Sequence, residues 1–123
     1  MEQLFCDTNA LIRFLEGDPL VVPLLSAKRL TISVVTAMEM QCKPHITAAE
    51  RTLIRNFLGH FDVVELVPAV QERAVNIRLT TRLKLTDAIV GASAIQAGLP
   101  LITGDEKFES LKGADVILLP TRS

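Results

Sequence analysis

Five short apolar runs, near Leu4–Cys6, Leu30–Ile32, Val63–Leu66, Leu99–Ile102 and Val116–Leu119, alternate along the chain with longer segments of helical period. Such alternation is the signature of an α/β unit built on a mostly parallel sheet. The helical segments fall near Ala10–Leu15, Pro19–Ala27, Val34–Cys42, Ala48–Phe57, Val70–Arg82 and Asp87–Ala97, with one turn at Glu106–Leu111.

Several boundaries carry chemical markers. Asp18 before Pro19 reads as an N-cap and first helical residue, since the amide that proline lacks has no partner there anyway. Thr47 followed three residues later by Glu50 is a capping-box pattern. Thr86 is placed to cap a helix opening at Asp87, Gly98 to end it in a left-handed conformation, and Pro100 to prevent its return. Pro44 stops the helix that carries Glu39. The segment Ala88, Gly91, Ala92, Ser93, Ala94 leaves much of that helix's surface small, which allows close approach to a sheet or a partner helix.

With 123 residues and 49% hydrophobic side chains, the chain reads as one domain, residues 1–123, large enough to bury a core without a staple. Thirteen Lys and Arg against fourteen Asp and Glu exclude a wholly basic nucleic-acid coat but leave room for a local basic patch. Cys6 and Cys42 lie far apart without CxxC spacing, which fits a reduced, cytoplasmic setting. The N-terminus lacks the basic start and long apolar run of a signal peptide, and no apolar stretch is long enough for a membrane span.

Asp7, Glu39, Asp87 and Asp105 each adjoin apolar sequence near the end of an expected element. In an open α/β sheet the crevice forms at the carboxyl ends of the strands, so Asp7 after the first strand and Asp105 after the fourth are expected to face one another. Glu39 enters from the helix after the second strand, and Asp87 from the first turn of a later helix. Carboxylates gathered in one crevice repel and rise in pKa unless a cation neutralises them. Oxygen donors without a His or Cys cluster favour magnesium or manganese, one ion or two, and such a site suits phosphodiester hydrolysis.

The chain resembles the PIN-domain family, and within it the small toxin nucleases of the VapC kind. The resemblance rests on Leu4–Asn9, on Ile32–Ser33 through Glu39, on Lys84–Ile89 with Gly91–Ala94, and on Leu101–Asp105 with Phe108. It implies a three-layer α/β/α domain whose central parallel sheet has the order 3-2-1-4-5, and an acidic pocket that binds magnesium or manganese and cleaves RNA. Asp7, Glu39, Asp87 and Asp105 fall on the family's acidic positions, and Thr8, Asn9, Ser33 and Thr103 on positions that support them. Two departures stand out: Thr86 where proline is common, and Lys107 where an aspartate often precedes the phenylalanine. The resemblance also implies a homodimer and an antitoxin partner that blocks the pocket.

A nuclease with an acidic centre needs positive surface for the phosphate backbone. Arg78, Arg82 and Lys84 form the expected RNA track, Arg78 and Arg82 being four apart on one helical face. Met38, Met40, Phe57, Val21 and Val22 are candidates for apolar contact with a partner, with core packing as their default role. Absence of Trp and Tyr argues against an extended base-stacking platform. Two other readings stand beside an RNA-cleaving enzyme. One is a catalytically inactive PIN-like module that binds RNA or protein. The other, a phosphatase or phosphotransfer receiver, is disfavoured because no second acid is paired with Asp7. A dinucleotide site is disfavoured by the lack of GxGxxG after the first strand.

Overall fold

A computed structural model describes residues 2–121. Five parallel strands, β1 (Gln3–Cys6), β2 (Arg29–Ser33), β3 (Asp62–Val64), β4 (Leu101–Thr103) and β5 (Val116–Leu118), form one sheet in the order β3-β2-β1-β4-β5. This is the expected order. The helices are α1 (Thr8–Leu15), α2 (Val22–Leu25), α3 (Val34–Glu39), α4 (Ala48–Leu58), α5 (Pro68–Thr80) and α6 (Leu85–Ala97), with a 3-10 turn at Glu106–Ser110. None of them is long and apolar enough to cross a membrane.

Because successive strand side chains point to opposite faces, the sheet divides the core in two. Leu4, Cys6, Leu30, Ile32 and Ile102 pack with Ala10 and Leu11 of α1, Leu25 of α2 and Leu58 of α4. Phe5 and Leu101 pack on the other side with Val70, Ala74 and Ile77 of α5 and with Ala88 and Ala92 of α6. The small residues of α6 therefore serve the core: Ala88 and Ala92 are fully buried, and a Cβ on Gly91 would stand 3.1 Å from Leu111 Cδ2. Met40 and Val21 are core residues as well, and Phe57 packs edge-on against Phe61, whereas Met38 is 60% exposed.

Besides shifts of about two residues at several element ends, three of the chemically marked boundaries differ from the sequence reading. The helix expected from Pro19 starts at Val22, with residues 19–21 forming a turn closed by Asp18: its carbonyl accepts from Val21 and Val22, and its Oδ1 from Leu20 N–H at 2.9 Å. Pro23 is the reason, since it fits only the first turn of a helix. The helix carrying Glu39 ends at that residue, well before Pro44, because the next amides, of Gln41 and Cys42, bond three residues back in the tighter 3-10 manner. Thr86 caps nothing: α6 opens at Leu85 with Lys84 at the cap position and no side-chain cap bond. The other markers hold. Thr47 and Glu50 make a reciprocal capping box, and Gly98 closes α6 at φ 68°.

The strands of this sheet all point one way, and β1 lies between β2 and β4. The chain leaves β1 toward β2 on one side, while β4 joins on the other. The crevice between the carboxyl ends of β1 and β4 lies at this reversal, as the fold rule requires.

Candidate active site

The residues after β1 and β4 meet in that crevice. Asp7 follows β1 directly and caps α1: its Oδ1 accepts from Ala10 N–H at 2.7 Å, while its own N–H donates to the carbonyl of Ile102 in β4 at 3.2 Å. Its other oxygen, Oδ2, accepts from the hydroxyl of Thr103, the last residue of β4. The same hydroxyl accepts from Asp105 N–H at 2.9 Å. One buried threonine, 96 residues from Asp7, therefore fixes the carboxylate of Asp7 and the backbone of Asp105 together. Asp105 in turn caps the 3-10 turn, accepting from Lys107 N–H at 2.9 Å.

Glu39 is held from another direction. Thr8 Oγ1 donates to Glu39 Oε1 at 2.8 Å, so the 2.9 Å contact between the hydroxyls of Thr8 and Thr36 must have Thr36 as its donor. Glu39 is the last residue of α3, where the helix carbonyls disfavour a negative charge. Glu39 is exposed, and the two-threonine relay fixes the direction of its carboxylate at the edge of the cleft. Asp87 sits on the first turn of α6, where the dipole is favourable.

All four acids line one cleft of about 660 Å³, together with Thr8 and Asn9. Burial is the largest influence on Asp7, raising its pKa from 3.8 to about 6; the charges of Asp105 and Asp87 add to this, and the hydrogen bonds from Thr103 and Ala10 oppose it. Asp87 is raised for the same reasons: first burial, then the charges of Asp105 and Glu39, opposed by those of Lys84 and Lys107. Burial and the charge of Asp7 push the Cys6 thiol far up, which makes it an inert core residue.

Among the described residues, no group of three or more His, Cys, Asp or Glu side chains is gathered tightly enough to hold a metal ion. The acids line the cleft without closing into a tight ligand cluster. Its oxygen-only donor set suits a hard ion such as magnesium, which keeps several waters and takes one or two carboxylates directly.

The expected supporting residues divide. Thr8 and Thr103 bond directly to the acids, and Asn9 lines the cleft. Ser33 lies outside it, buried at the start of α3, where it accepts from Val35 N–H at 3.1 Å and so orients the helix that carries Glu39. Of the expected RNA track only Lys84 lines the cleft; Arg78 and Arg82 are exposed on and just beyond α5 and do not line it. Lys107, Thr36 and Gly104 were not among the expected site residues. Position alone pointed to two of them: Lys107 is two residues past Asp105 in the same turn, and Thr36 is one helical turn before Glu39.

Beside the cleft, and sharing Ile12 and Glu39 with it, runs an apolar groove of about 580 Å³ lined by Leu15, Met40, Leu53 and Ile54.

The PIN domain family model matches residues 4–114. A solved toxin–antitoxin complex from Klebsiella pneumoniae contains a chain 30% identical to this one, superposing with a TM-score of 0.81 over 93% of this chain and 95% of that one. VapBC2 from Rickettsia felis, bound to a DNA fragment from its promoter, gives a TM-score of 0.80 at 14% identity, covering 96% and 99%. VapBC-5 from Mycobacterium tuberculosis gives 0.70 at 20% identity, covering 98% and 100%; at such identities the likeness is one of fold. No curated protein matches the chain. The family match spans both acids of the β1–β4 crevice and both acids that enter from helices. On that match and on the shared fold, the chain belongs to the PIN domain family.

Proposed function

We propose that the protein is a metal-dependent endoribonuclease, the toxin of a type II toxin–antitoxin pair of the VapC kind. The observation that carries this reading is the convergence of Asp7, Glu39, Asp87 and Asp105, from four separate elements, on one cleft. The 30% identical chain in a toxin–antitoxin complex supports the biological half.

Magnesium or manganese, one ion or two, taken directly by one or two of these acids and through water by the others, would orient a water, lower its pKa and offset charge on the phosphodiester oxygens. The chain's own groups have defined tasks around that chemistry. Thr103 keeps Asp7 aimed into the cleft by donating to one of its oxygens, which leaves lone pairs of the carboxylate free. Thr8, backed by Thr36, fixes Glu39 on the opposite side. Lys84 at the mouth supplies positive charge for the RNA backbone. The apolar groove that shares Glu39 with the cleft is the surface for an antitoxin segment, since a chain lying in it ends beside the acids. Exposed Val75, Leu79 and Leu85 offer an apolar face for a homodimer.

The openness of the acid arrangement favours a second reading, an inactive PIN-like module whose cleft takes a basic side chain or RNA without cutting. Turnover separates the two. Purified protein incubated with defined RNAs is expected to cleave in magnesium or manganese and to stop in chelator. Asp7→Asn and Asp87→Asn, while remaining folded, are expected to fall to the no-protein background. Cleavage that persists in both folded variants would remove the acids from the mechanism; no cleavage of any RNA by the unsubstituted protein would favour the inactive module.

A further inference from the structure

The cleft has five carboxylates in its lining, Glu106 joining the four acids, and only two cations, Lys84 and Lys107. They come from different walls. Lys84 precedes α6, and Lys107 lies in the 3-10 turn after β4. Both side chains are exposed, and among the described residues neither ammonium is within ion-pair distance of a carboxylate, although other lysines of the chain form such pairs. Neither ammonium is committed to an ion pair, and although both act on Asp87 from a distance, each can engage an anion from outside.

The rest of the lining narrows what that anion is. Ile12, Val90, Leu118 and Leu119 make its apolar wall, and no aromatic residue is present. Bases therefore have no stacking platform there, and hold on a polynucleotide must come from its backbone. A lysine suits this task as a compact point charge that can follow one phosphate. The guanidinium groups of Arg78 and Arg82 lie outside the lining and do not substitute for it.

We infer that Lys107 is a substrate-positioning residue, binding a phosphate of single-stranded RNA across the cleft from Lys84 and so setting the path of the backbone over the acids. This rests on the RNA reading above, and its test is chosen to fail separately. Binding of a fluorescently labelled single-stranded RNA is followed by anisotropy against salt concentration, in magnesium, in the Asp7→Asn background where cutting is blocked. Loss of one phosphate contact reduces the slope of log K against log salt by about 0.7 for a single strand. Lys107→Ala is expected to give that reduction together with weaker binding, and Lys107→Arg to restore the slope. Lys112→Ala, which removes the same charge outside the cleft, is expected to change neither. In the cleaving protein Lys107→Ala is expected to raise KM with kcat held.

A Lys107→Ala slope and affinity indistinguishable from those of Lys112→Ala would overturn the inference, as would absence of RNA binding by the parent. Lys107-dependent binding by a protein that cuts no RNA would defeat the nuclease reading and leave this assignment standing. Cleavage with a slope indifferent to Lys107 would do the reverse.

Discussion

Asp7 combines two demands that conflict. It is 4% exposed, yet the proposed metal site needs it charged. Its pKa of about 6 in the fold, against an ordinary 3.8, means that the folded chain keeps a proton the unfolded chain has lost. The contribution of Asp7 to stability is therefore complete below the unfolded value and is lost as pH rises through about 6. At neutral pH and without divalent ions the carboxylate destabilises the fold, by on the order of 3 kcal/mol. Asp7→Asn is expected to unfold at higher denaturant concentration than the unsubstituted protein at neutral pH, with the advantage shrinking toward pH 4. Equal pH profiles for the two proteins in urea titrations would show that Asp7 is not desolvated. The apolar run Leu4–Cys6 before Asp7 already announces a charge at a buried strand end. The bond from Thr103 does not show in the sequence, because 96 residues separate the partners and many threonines would serve equally well on paper.

At the scale of elements, the junction from β4 into the 3-10 turn places its backbone hard against α1. A Cβ on Gly104 would stand 2.4 Å from Asn9 Oδ1 and 3.0 Å from Arg13 Nη1. The first atom is the end of an exposed side chain and the second belongs to a buried guanidinium, so a Cβ here displaces Asn9 and presses on Arg13. Gly104→Ala must push Asn9 aside or part β4 from α1, and is expected to cost about 1–3 kcal/mol in chemical denaturation and to lower RNA cleavage. Unchanged stability and activity would mean that Asn9 moves freely. In sequence, Thr103 and Asp105 stand out as candidate site residues, but nothing marks Gly104 between them as a point of close approach. Capping chemistry was more legible: the Thr47–Glu50 box and the Gly98 stop depend on neighbours within a few residues, and both formed as expected. Where two local signals competed, at Pro19 against Pro23, the proline with the stricter steric demand set the helix start.

Across the whole molecule, Arg13 ties α1 to the segment that follows β5. Buried on α1, it donates from Nε to Asp18 Oδ2 at 2.8 Å and from Nη2 to the carbonyl of Pro120 at 3.0 Å, 107 residues away. Pro120 lies between Leu119 and Thr121, which line the cleft, so this bond holds one of its walls against α1. Arg13→Ala is expected to cost about 3 kcal/mol through the broken buried pair. Arg13→Lys, keeping the charge but not the fork, is expected to lose less stability while hydrogen exchange at residues 118–121 rises. Equal protection of that segment in all three proteins would show that Arg13 does not anchor it. The order of apolar runs and helical segments was enough to determine an α/β domain of parallel strands, because period and chain order are local properties written into the residues. The four acids were legible too, through their positions at element ends. Thr8, Thr103 and Lys84 were already singled out in the sequence, but which acid each threonine bonds, that Thr36 backs Thr8, that Lys107 rather than Arg78 or Arg82 reaches the cleft, and what Gly104 and Arg13 meet were decided only by the tertiary structure. Those are contacts between segments distant in the chain, and nothing in a residue's own neighbourhood records what will be packed against it.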